Sequence, residues 1–244
     1  MRESRSSFRN ATWVICIAAV CLFLVAPSGA AAEEDGAAAS EPASEPIADT
    51  IELQDYLVLP AVGHYGRLSV HQDALEAQWI GGQWQPPAAG DTVSTTDGGA
   101  KTWRAATAAH GSLDTKTVRG GYAFAKFDSP TERVMLLAAA GHATVYVNGE
   151  PRAGDPYRLG WLRLPVRVKR GENSLLFHVA SEQLTARLTT PPGDVFFLPD
   201  DRTLPTLVRG EAEPVWGAMP LVNATHDWLG ELQLECRRDR KSVV

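Results

Sequence analysis

The sequence predicts a mostly β protein: an antiparallel jelly-roll β-sandwich with one short helix, followed by the start of a second β domain. Three features carry that prediction. Across residues 143–179, Val145 and Val147 alternate with Thr144 and Tyr146, while Leu162, Leu164, Val166 and Val168 alternate with Arg163, Pro165, Arg167 and Lys169. A period of two marks a strand with one buried face. Asn148-Gly149, a pair that tolerates the positive φ of a tight hairpin, follows the first run; Arg170-Gly171-Glu172-Asn173 breaks the second before Leu175, Phe177 and Val179 resume it. Residues 134–140 are continuously apolar, as a central strand covered on both faces requires. Register fixes the faces. A slip of one residue in 162–169 would bury three cations, so the four aliphatic residues are expected inward and Arg163, Arg167 and Lys169 outward.

The N-terminal segment stands outside the fold. Arg2, Arg5 and Arg9 precede an apolar stretch at 13–26, and Ala30-Ala31-Ala32 supplies a small-residue cleavage site, so residues 1–32 are expected to be a signal peptide. The apolar stretch is short of the roughly 20 residues a membrane span needs. Val20 before Cys21 argues against a lipid anchor. Residues 33–50 carry six acids, no base, and mostly Ala, Ser and Pro otherwise, a composition unable to offset its own ordering entropy. They are expected to be a disordered linker. The formal charge of the whole chain is −6. Without leader and linker it falls to about −2, which gives no electrostatic footprint for nucleic acid or, after signal removal, for a membrane. The protein is therefore expected to be secreted or periplasmic.

Within the body, residues 51–198 hold the expected sandwich. A short opening strand is expected at 55–59. Leu75 and Trp79, four apart, suggest a helix within 70–80 that Gly81-Gly82 ends. Strands follow at 93–95 and 103–107, then at 122–127, where Tyr122, Phe124 and Lys126 oppose Ala123, Ala125 and Phe127. Leu184, Ala186 and Leu188 mark another strand, and 195–198 a last short one. From residue 199 prolines punctuate the chain, and 199–238 is expected to be a connector with the first strands of a second, truncated β domain, one of them within 229–236. The final Asp-Arg-Lys-Ser-Val-Val at 239–244 matches the translation of a common sequencing adapter, GATCGGAAGAGCGTCGTGTAG. It is expected to be artefact, the alternative being a natural basic tail.

No catalytic apparatus is visible. Beyond the leader Cys236 stands alone, so no intramolecular disulfide forms. The six His are scattered without metal-ligand spacing, and G-x-S-x-G, P-loop and G-x-G-x-x-G motifs are absent. No metal and no cofactor is expected. Ser112 lies between His110 and Asp114, but residues two apart on one loop do not make a triad, whose members come from separate parts of a fold. Aromatics are the features that speak for carbohydrate, because the C–H faces of sugars stack on rings while nearby polar groups satisfy hydroxyls. Asp155, Tyr157, Arg158 and Trp161 fall together on one loop between strands, and loops at sandwich ends carry function. Against that stands the commoner fate of a Trp, burial in the core, which is the outcome expected for Trp161 and would make the module a scaffold.

The sequence Val145-Tyr146-Val147-Asn148-Gly149, followed after a loop and a strand by Lys169-Arg170-Gly171-Glu172-Asn173 and then Leu175 to Val179, resembles galactose-binding-like jelly-roll modules. The likeness covers about residues 121–180. Such modules are attached to many secreted glycoside hydrolases and other extracellular hydrolases. The resemblance implies an accessory sandwich and a scaffold, without a sugar specificity. The function expected is an exported non-catalytic module, the N-terminal part of a longer hydrolase of the glycoside hydrolase or α/β-hydrolase esterase or peptidase type. Its expected partners are polysaccharide or a downstream catalytic domain of the same chain. The alternative is a cell-surface or extracellular protein-interaction module with no enzymatic domain.

Overall fold

The alternating runs become strands because each offers one apolar face to a common core. The computed structural model describes residues 50–64, 72–206, 216–230 and 232–233. In chain order the strands are β1 (Thr50–Glu52), β2 (Asp55–Leu59), β3 (Gly63–His64) and β4 (Gln72–Asp73), then helix α1 (Ala74–Ile80). There follow β5 (Thr92–Ser94), β6 (Ala100–Thr102), β7 (Arg104–Thr107), β8 (Ser112–Asp114), β9 (Tyr122–Ser129) and β10 (Arg133–Ala140). The chain continues through β11 (His142–Val147), β12 (Glu150–Ala153), β13 (Arg163–Val168), β14 (Gly171–Val179), β15 (Gln183–Thr189), β16 (Val195–Phe197) and β17 (Leu221–Asn223).

Two antiparallel sheets form a sandwich. The first runs β1-β15-β10-β13, with β8 also pairing β15; the second runs β12-β11-β14-β9-β2-β7. Between them lies one core: Met135, Leu137 and Ala139 of β10 and Leu184, Ala186 and Leu188 of β15 meet Ala123, Ala125 and Phe127 of β9 and Leu175, Phe177 and Val179 of β14. Each set is spaced by two, as the pleat demands. Val166 and Val168 are buried while Arg163, Arg167 and Lys169 face solvent, as the register argument requires. Leu162 precedes β13 and, like Leu164, is only half-buried, because the strand emerges there from a surface loop.

Several strands have both faces covered. On the outer side of β9, Tyr122 and Phe124 pack with Leu59, Leu176, Val93 and Trp103 beneath α1, whose Leu75 is buried among them. Asp73 caps that helix by accepting from the backbone N–H groups of Leu75 and Glu76 at 2.8 and 3.0 Å. The apolar run of β10 is explained likewise: Leu136 points away from the main core into a third cluster with Leu198 and Val222. Residues beyond 198 thus return to the first sheet. β16 pairs β17, and Arg163 on β13 forms a 3.0 Å ion pair with Asp200. The strand expected within 229–236 falls largely outside the described residues.

The two turn motifs are locked to each other. Asn148 and Gly149 both have positive φ, 48° and 96°, the geometry of a type I′ hairpin between β11 and β12. The Asn148 side chain accepts from Ser174 N at 2.9 Å and donates to Asn173 Oδ1 at 2.8 Å. Buried Asn173 in turn accepts from Lys169 N and donates to the Lys169 and Gly171 carbonyls. β14 therefore begins at Gly171, two residues into the segment expected to be a break, because Asn173 ties that turn down from within the strand.

Candidate functional site

Residues 154–162 join β12 to β13 as a nine-residue loop whose base is fixed by close approach of backbones. A Cβ at Gly154 would overlap His142 O and the Ala143 carbonyl, so only glycine fits there. Gly141 N donates to Asp155 O at 2.8 Å, which ties the loop to the turn between β10 and β11.

Asp155 organises the loop from beneath. It is 5% exposed, and its two carboxylate oxygens accept from Leu159 N at 2.9 Å and Gly160 N at 2.7 Å. Its carbonyl also accepts from Arg158 N at 3.3 Å. Arg158 is thereby held at φ 58°, a left-handed conformation uncommon for a non-glycine residue and of the kind that gathers at binding sites. The carboxylate is committed to the backbone, so Asp155 positions the loop and has no oxygen turned to a ligand.

The side chains that follow point outward. Tyr157 is 83% exposed and Trp161 is 52% exposed, with Leu159 exposed between them. Burial of Trp161 in the core, the fate expected from its residue type, does not occur. The Asp155 clamp turns the loop back on itself, and the chain re-enters the sandwich only at Leu162. Trp103, by contrast, is 2% exposed under the second sheet and fills the core as a Trp usually does.

His142 lies under the same loop. It is 1% exposed, stands edge-on to Phe177 at 5.2 Å, and neither ring nitrogen has a hydrogen-bond partner. Burial pushes its pKa down to about 4, with the Asp155 charge opposing part of that shift.

A second group of aromatics belongs to the body of the fold. Trp79 sits between Trp84 and Tyr146, with ring centroids 4.6 and 4.5 Å away, and touches Gly149. Beside it is an open recess of about 420 Å³ lined also by Lys169 and Glu172. Its tryptophan faces are spent on one another and on the hairpin, whereas the rings of Tyr157 and Trp161 are left to solvent. Trp79 and Trp84 are brought together by the packing of α1 against the β11–β12 hairpin, a tertiary contact that no local pattern signals.

No hydrolytic constellation emerges at Ser112. His110 is exposed on the turn before β8, Asp114 accepts from Lys116 N at 3.1 Å, and Ser112 Oγ is buried without a partner. Among the described residues no group of three His, Cys, Asp or Glu could hold a metal ion. Comparison with protein-family models, with curated proteins and with solved structures finds no match.

Proposed function

We propose that this chain is an exported, non-catalytic β-sandwich module forming the N-terminal part of a longer secreted hydrolase, and that it contacts polysaccharide through the loop at residues 154–162. The observation that carries this reading is the pairing of an exposed aromatic pair with a rigid base: Tyr157 and Trp161 stand free above a carboxylate that holds the backbone beneath them. A loop backbone fixed in advance loses little conformational freedom when a sugar stacks on the rings it carries. A shallow platform excludes little water, so the contact is weak and depends on repetition along a polymer.

Affinity electrophoresis of the purified protein through gels containing neutral and acidic polysaccharides tests the reading. At least one polysaccharide should retard the protein, and Trp161→Ala should abolish the retardation while leaving the melting temperature unchanged. Retardation by none of them, or a Trp161→Ala protein that melts lower and is retarded as before, would refute it. The hydrolase association is tested by the open reading frame downstream of codon 238: a G-x-S-x-G motif or a catalytic barrel supports it, and further sandwiches alone favour a protein-interaction module.

A further inference from the structure

The loop that presents Tyr157 and Trp161 also walls a recess of about 520 Å³ on the same end of the sandwich. Three cations line it: Arg158 from the loop, and Lys116 and Arg119 from the segment between β8 and β9. Glu182 is the one acid lining the recess. The surface cations Lys126, Arg152 and Arg163 each have a carboxylate within 3.0 Å, whereas Lys116, Arg119 and Arg158 enter no ion pair among the described residues. Arg119 is instead oriented by a 3.1 Å bond from Nε to Ala180 O, which leaves its terminal nitrogens for another acceptor. Three cations against one acid leave net positive charge in one concave place, which favours an anion there.

Resting on the carbohydrate reading above, we infer that the ligand of this site is an acidic polysaccharide, one whose sugars bear carboxylate or sulfate groups. The apolar sugar face stacks on Trp161 or Tyr157, and the acid groups of the same or a neighbouring residue enter the recess toward Arg158, Arg119 and Lys116. Arginine suits this work because its planar fork meets two carboxylate or sulfate oxygens at once. Arg158 lines the recess, while its neighbours Tyr157 and Leu159 are exposed on the same loop. A bilayer surface is the less fitting anion. The cations lie in a concavity with Glu182 among them, and a flat sheet of lipid headgroups would meet the aromatic loop without reaching them.

The test compares binding of the purified protein to polygalacturonate and dextran sulfate, to uncharged dextran, to duplex DNA, and to phosphatidylglycerol vesicles. The acidic polysaccharides should bind at least about ten-fold tighter than dextran, and that margin should shrink as salt rises from 50 to 500 mM, roughly as screening of exposed charges shortens from over 10 Å to a few. Lys116→Gln combined with Arg119→Gln should erase most of the margin and leave dextran binding as it was, whereas Arg158→Lys, which keeps the charge but not the fork, should retain only part of it. Equal binding of dextran and the acidic polymers would overturn the acidic specificity and leave the carbohydrate reading standing. Duplex DNA bound as tightly as polygalacturonate, or vesicles bound while polysaccharides are not, would overturn it as well. Absence of any polysaccharide binding would overturn both.

Discussion

Burial of His142 makes stability depend on pH. The native state refuses a proton that the unfolded chain takes up near pH 6.5, and accepts it only near pH 4. Full stability is therefore present above about pH 6.5 and is lost as pH falls toward 4. Over that window the loss should come to about 3 kcal/mol at most. Urea unfolding at pH 7.5 and pH 4.5 measures it, and His142→Leu should lose most of the difference. An unchanged pH slope in the variant would mean that His142 keeps an ordinary pKa in the fold. Nothing in the sequence singles this histidine out from the other five. Its position opposite Val179 across the β11–β14 ladder is a tertiary fact. Asp155 is similar: the loop and the residue type were legible, but the direction of its carboxylate was not. An acid two residues before an exposed Tyr reads equally as a ligand group or as turn chemistry, and the hydrogen bonds to Leu159 and Gly160 decide for the turn.

Strands were the most legible elements because period two is written directly into side-chain identity. The runs at 55–59, 134–140, 143–147 and 184–188 all lie within strands. Their limits were less so, since a strand ends where its pairing ends. Leu162 keeps the alternation but has no pairing partner: the β10–β13 ladder stops at Arg163 opposite Ala138, although β10 itself runs on to Ala140. The likeness between Val147-Asn148-Gly149 and Gly171-Glu172-Asn173 as turn signals hid their main property, that the two asparagines bond each other across neighbouring strands. Asn173→Ala should leave Lys169 N without its acceptor and Asn148 Nδ2 with only its 3.4 Å bond to Arg167 O, and cost about 1–3 kcal/mol. A double-mutant cycle with Asn148→Ala should give a coupling of at least about 0.5 kcal/mol, while additivity of the two losses would show that the bond does not join the turns.

At the scale of the molecule, the sequence told of a sandwich from its alternating and its continuous apolar runs, and the structure accounts for the latter with three clusters in place of one. The second sheet needs α1 and Trp103 over its outer face; the first needs Leu198 and Val222 over Leu136. These covers lie far along the chain from the strands they protect, so local patterning could not assign them. Ile80, Leu204, Trp216 and Trp228 are exposed elsewhere, but Tyr157, Leu159 and Trp161 stand exposed together on one loop beside Arg158. That loop is the proposed binding surface, in preference to the recess beside Trp79 and Trp84. Hydrogen–deuterium exchange with and without saturating polygalacturonate tests this most directly. Slowed exchange concentrated in the amides of residues 157–162 and 116–119, with the rest of the protein unchanged, is the predicted result. Slowing confined to residues 79–84 and 148–149 would contradict it and place the site at the other end of the second sheet's aromatic cluster.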